Sequence, residues 1–288
     1  MTQRPKLARP GRPPQMAAPD AIAREYRNEL RALVRKFGEL VDRELVQTLP
    51  EIVETRERLV RVDANGGWSG RIEAAVRSIG LGIAEDVRRL ERRAIDIGIA
   101  VADFNGQQWQ RVVQAAIGVD IFRREPWLAD QLASFAAENA QLIRSLPEQA
   151  LTQIEGLAQR GVRTGQSARQ ISAEIQERFQ TTRARADLIA RDQTAKLNGQ
   201  LTEIRQQQAG VETYIWRTGR DERVRDSHDA LAGMLCRWDD PTVYSDDNGQ
   251  TWKSRSSIGG FTGHPGEDFQ CRCIAESNIA EVLESLGI

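Results

Sequence analysis

His228, Cys236, His264, Cys271 and Cys273 are all the histidines and cysteines of this 288-residue chain. They fall in its last quarter, three of them inside "GHPGEDFQCRC", Gly263 to Cys273. Alternate residues of an extended segment point to one side, so Cys271 and Cys273 present both sulfurs to one point. A disulfide between them would be strained and would close almost no loop. His264 is followed by Pro265-Gly266, a turn that can bring its ring back toward the sulfurs, and His228 arrives from upstream. Together His228, His264, Cys271 and Cys273 form a Cys2His2 set suited to tetrahedral, structural zinc. The spacing is not that of a standard zinc finger. The same residues also fit a small core of buried thiols and hydrogen-bonded histidines, and both readings stand at this point. Cys236, between Met234-Leu235 and Arg237-Trp238, reads as a buried thiol.

Catalysis is the third chemistry to weigh. A Cys–His pair is the minimum for a thiol hydrolase, and His228 sits beside Asp226 and Asp229. Against it, the sequence has no nucleophile elbow, no phosphate-binding glycine loop and no carboxylate pair at a diagnostic spacing. Arg272 flanks both cysteines but supplies no orienting base. The sequence therefore points to a protein that is not an enzyme, with no catalytic residues and no organic cofactor.

These side chains need elements to hold them. "VETYIWRT" alternates and carries Tyr214, Ile215 and Trp216, which predicts a strand. "RDERVRDSHDALAG" is charge-dense and reads as a solvated turn followed by a short helix with His228 on its inner face. From 211 to 276 the texture is turns and short strands, a small α+β module with little apolar core of its own; modules of that size often need a metal or disulfide.

Everything upstream is helical in pattern. Apolar residues recur at threes and fours from Ile22 to Leu45, after Asp20 as a cap, with Pro50 just past the end. "DANGGWSG" marks a turn at 63–70. A second stripe runs over 70–102, and Trp109 to Ile117 predicts a short third helix. Pro126 and Pro147 each predict the start of another helix. Ser167 and Thr182 predict the caps of two more, the last stopped by Gly210. The fold class is mainly α: a multi-helical N-terminal body, then the α+β module. The expected divisions are a basic Pro-rich arm at 1–19, helical regions at 20–145 and 146–210, the module at 211–276 and a short helix or tail at 277–288.

Composition narrows the function classes. Net charge is −1, so the chain as a whole is no electrostatic glove for nucleic acid. Only the arm, with Arg4, Lys6, Arg9 and Arg12 and no acid before Asp20, offers a basic contact. No apolar run approaches the roughly eighteen residues needed to span a bilayer, and the N-terminus lacks the apolar core of a secretory signal. Three cysteines, an odd number with two of them one residue apart, argue for a reducing compartment.

"RARADLIARDQTAKLNGQLTEIRQ", "YIWRTGRDERVRDSH", "RWDDP" and "GHPGEDFQCRC" occur in that order, and together they resemble the phage Mu F-like minor head proteins, also called head morphogenesis proteins. The resemblance covers about residues 140–276. It implies a structural component of a tailed phage or prophage, located in the virion or procapsid and assembled in the bacterial cytoplasm. Expected partners are the portal and other capsid proteins, with phage DNA as a further one. The alternative is a nucleic-acid-binding module using the arm and a metal-stapled domain. Family members often carry Cys-x-x-Cys where this chain has "RDSH"; Arg225 then stands at the first cysteine's place and His228 at the second's, which supports the metal reading. The chain continues about fifteen residues past Cys273, so a fused toxin domain, present in some members, is not expected.

Overall fold

A computed structural model describes residues 14–62, 67–117, 125–219 and 222–278. Most of the basic arm, the first half of the "DANGGWSG" stretch and the closing helix expected after 277 lie outside the described residues; Trp68–Gly70, expected in that turn, are already in the third helix. Five long helices come first: α1 (Asp20–Glu44), α2 (Leu49–Val62), α3 (Trp68–Ile117), α4 (Leu128–Thr164) and α5 (Ala168–Gln208). Five short strands follow: β1 (Thr213–Arg217), β2 (Leu235–Arg237), β3 (Val243–Ser245), β4 (Lys253–Ser254) and β5 (Ile274–Ser277). A one-turn helix, α6 (Asp226–Asp229), lies between β1 and β2. The fold is therefore mainly α with a small antiparallel sheet at its C-terminal end, in the order β4-β3-β2-β1-β5.

The chain forms two compact units, each from separated stretches. The first comprises residues 23–97 and 131–190, and its described elements are helices. Its core follows the predicted stripes: Tyr26, Leu30, Phe37, Val41, Ile72, Ile79, Ile143 and Ile154 are almost wholly buried. Phe37 meets Phe179 edge-on, ring centroids 5.7 Å apart. Few polar groups enter. Tyr26 donates to the Asn139 side chain at 2.9 Å, and Arg31 pairs bidentately with Asp187.

Several predicted helix ends are absent, each for a physical reason. Pro147 does not start a helix; it is buried inside α4. The proline removes one backbone donor, but Ile143, Leu146, Ala150 and Ile154 keep one buried stripe across it, and that burial offsets a penalty of about 3 kcal/mol. Pro126 precedes α4 by two residues, and α4 begins at Leu128. Thr182 caps nothing: its hydroxyl donates to the Arg178 carbonyl at 2.9 Å within a continuous α5. The Trp109–Ile117 stretch is the end of α3, not a separate helix. Ser167 does cap α5, its oxygen accepting from Gln170 N while the Gln170 side chain accepts from Ser167 N. Gly210, at φ +79°, ends it, with Val211 N donating back to the Gln206 carbonyl.

The second unit comprises residues 1–22, 98–130 and 191–288 and includes the sheet. Its helical part buries a polar ladder. Asn105 donates to the Asn198 and Thr202 side chains, and Arg205 donates to Asn105, to the Ala102 carbonyl and bidentately to Glu125. The sheet closes on this part of α5. Gln206 donates to the Ala275 carbonyl on β5 and accepts from the Trp238 indole. The Pro265-Gly266 turn lies directly on α5. A Cβ at Gly199 would stand 2.5 Å from the Pro265 carbonyl oxygen, so only glycine fits there. Tyr214, Trp216, Leu231, Cys236, Trp238, Tyr244 and Ala275 form the module's apolar cluster.

Candidate functional site

The cluster of chemistry-bearing side chains is assembled from three places. The first is β1, whose Trp216 is fully buried. The second is α6, which starts at the acidic Asp226 and turns His228 inward, 2% exposed. The third is the segment from Gly263 to Cys273. Its chain turns at Gly263 and Gly266, both with positive φ, and again at Gln270. Asp192 anchors the last turn by accepting from Gln270 N at 2.8 Å. The chain then runs through Cys271 and Cys273 into β5, which begins at Ile274.

The Cys271-Arg272-Cys273 step puts both sulfurs at one imidazole nitrogen. His228 Nδ1 is 3.3 Å from Cys273 Sγ and 3.6 Å from Cys271 Sγ. One ligand atom from each of the three residues lies within 4.8 Å of the others. On its far side, His228 Nε2 is 2.9 Å from Asp268 Oδ2. A carboxylate only accepts, so the ring proton is assigned to Nε2, and the Nδ1 lone pair faces the sulfurs. Arg225 pairs with the same carboxylate at 3.1 Å and donates to the Phe269 carbonyl.

The sulfurs sit in donors. Gly266 N and Cys273 N both point at Cys271 Sγ at 3.4 Å. The buried Trp216 indole N–H has no hydrogen-bond partner among the described residues, and its ring meets His228 edge-on with centroids 5.7 Å apart. The Cys273 thiol hydrogen bond, then His228 and the two backbone amides, bring Cys271 down to about 5 against the opposing effect of burial. Cys273 moves up, because the Cys271 thiolate beside it and burial both oppose a second negative charge. At His228, burial works against the cation, but Cys271 and Asp268 outweigh it and the pKa rises. The pocket thus favours positive charge at the point where the two sulfurs and Nδ1 converge.

Of the four predicted ligands, the structure brings His228, Cys271 and Cys273 together; His264 does not join them. Its Nδ1 is 3.0 Å from the Tyr214 hydroxyl, and its ring packs against Trp238 with centroids 5.0 Å apart. Tyr214 also accepts from Arg255 at 3.3 Å, so its own proton goes to His264. Burial first, then Arg255, keeps His264 neutral, lowering its pKa in spite of Glu267. Cys236 is a fully buried thiol, pushed up to about 11 by burial.

Sequence reasoning missed three residues here. Asp268 lay in the quoted motif, and a carboxylate between candidate ligands was a usable signal. Trp216 read only as a strand residue. Arg255, in a serine-rich turn, gave no signal, yet it is fully buried and donates to the carbonyls of Val243, Phe261 and Gly263.

The family model described as Phage Mu protein F like protein matches residues 152–276. This part of the chain is similar to that family. It runs from within α4 to within β5 and includes the whole His228–Cys271–Cys273 cluster. A Haemophilus influenzae protein, named only as uncharacterised, is 32% identical over 160 residues, covering 54% of this chain and 32% of that protein. The chain thus aligns with about a third of that relative's length. No solved structure matches. No helix among the described residues is long and apolar enough to cross a membrane.

Proposed function

We propose that this protein is a minor head protein of a tailed phage or prophage. In this reading it acts in head morphogenesis, with a structural role at the portal vertex or the inner procapsid, and its partners are the portal and other capsid proteins. The observation that carries the reading is the Mu F-like region at 152–276, which takes in the distal part of α4, all of α5 and the sheet through most of β5. The state of the cluster supports an assembly role over catalysis. His228 and Cys271 are each 2% exposed, so the Cys–His contact they make is closed to a substrate.

The test is association with heads. A tagged copy expressed during lytic growth should sediment with procapsids and be captured with the portal. A chain that stays at the top of the gradient, with heads forming normally in its absence, contradicts the proposal.

A further inference from the structure

The ligand-atom distances have a quantitative meaning. Zinc bonds of about 2.0 Å to nitrogen and about 2.3 Å to sulfur, opened to a tetrahedral angle, hold the two atoms about 3.6 Å apart. His228 Nδ1 stands 3.6 Å from Cys271 Sγ and 3.3 Å from Cys273 Sγ. The spacing is therefore that of two edges of a zinc coordination tetrahedron.

We propose that His228 through Nδ1, Cys271 and Cys273 bind one divalent cation of the zinc class, and that His264 is not a ligand. The chemistry of the donor set fits: two thiolates and one neutral imidazole select a soft or borderline ion over magnesium or calcium. The surroundings are those of a ligand cage. Asp268 on His228 Nε2 fixes the ring and its tautomer, the arrangement by which carboxylates orient metal-bound histidines. Two backbone amides hold the Cys271 sulfur. The Trp216 ring meets His228 edge-on, centroids 5.7 Å apart, and walls the group. Among the described residues no further histidine, cysteine or carboxylate joins the group, so a tetrahedral ion completes its shell with a ligand from outside it.

His264 has a different task. Arg255, Tyr214 and His264 form a hydrogen-bonded chain that pins the turn at Gly263–Gly266, from which the segment leads on to Cys271. It positions the segment without touching the ion.

Cobalt(II) titration of the full chain tests this. About one equivalent should bind and produce a sulfur-to-cobalt charge-transfer band. Cys271→Ser and Cys273→Ser should each reduce that band by about half or abolish it, and His228→Gln should weaken binding by at least tenfold. Asp268→Asn should weaken it about 10- to 100-fold, as removal of an orienting partner does. Cys236→Ser and His264→Gln should keep the band. No binding by the wild-type chain overturns the proposal outright, without bearing on association with heads. A His264→Gln protein that stays folded by circular dichroism but loses the band, while His228→Gln keeps it, overturns the ligand assignment. Because the wild-type titration stands alone, misfolding of one variant does not shelter the idea.

Discussion

The helical unit at 23–97 and 131–190 and the sheet module after 210 are held together by different physics. The first is stabilised by apolar area: stripes of Leu, Ile, Val and Phe at helical spacing, with few polar groups inside. The second buries Arg255, His228, His264, Thr213, Ser245 and Ser277 around a small aromatic cluster. Burial of area is non-directional and tolerates a replacement of similar size. A buried polar group requires its partner in one geometry, and losing the partner leaves the full desolvation penalty. The helical unit should therefore respond to volume, and the module to hydrogen-bond geometry.

The sharpest contrast lies in conservative replacements. Phe37→Ala should cost about 3–5 kcal/mol by leaving a cavity against Phe179, while Phe37→Leu should cost well under half of that. Arg255→Met should cost about 3 kcal/mol or more, because the carbonyls of Val243, Phe261 and Gly263 lose their donor. Arg255→Lys should cost nearly as much, since one ammonium cannot reproduce the fork. Denaturant unfolding of the four proteins checks both halves. A mild Arg255→Lys effect would erase the distinction.

Gly199→Ala is the next in size, at about 1–3 kcal/mol. The added methyl would press on the Pro265 backbone, which cannot swing aside as a side chain can. Gly38→Ala, whose new methyl would meet only the Phe179 ring at 3.6 Å, is the paired control and should cost less. Thermal unfolding of both proteins decides between them.

The smallest effect is a pH dependence. Half-buried Glu203 has a raised pKa, from burial first and from Glu267 second, and Gln207 only partly offsets this. A carboxyl whose folded pKa exceeds its unfolded value of about 4.5 favours folding at low pH. That contribution fades as pH rises through the folded value. Glu203→Gln should leave stability unchanged near pH 4 and raise it slightly at pH 7, by about 0.5 kcal/mol or less. Denaturation midpoints at the two pH values check the sign.

The two regions also differed in what their sequence revealed. Helical period marked α1, most of α3 and the core residues on both, because an apolar stripe is a local pattern. Helix ends were harder. Pro147 and Thr182 carry local signals that tertiary burial overrode, joining predicted pairs of helices into α4 and α5. In the site, the two-residue spacing of Cys271 and Cys273 and the charge pattern around His228 were local, and the geometry follows them. The placement of His264 was not. It is decided by Tyr214 and Arg255, residues fifty and nine positions away, and neither spacing nor composition reports a hydrogen bond across that distance. Asp268 could have been found as an acid inside the ligand motif; Arg255 could not.

Directed contacts around His228, Cys271 and Cys273 hold the module, and buried apolar area holds the helical unit. Hydrogen–deuterium exchange of the zinc-loaded full chain, with and without a strong chelator, tests this most directly. Chelation should strip protection from amides in β1, α6 and residues 263–277, while α1 and residues 131–164 of α4 keep theirs. Equal loss in both regions, or no change in the module, would contradict it.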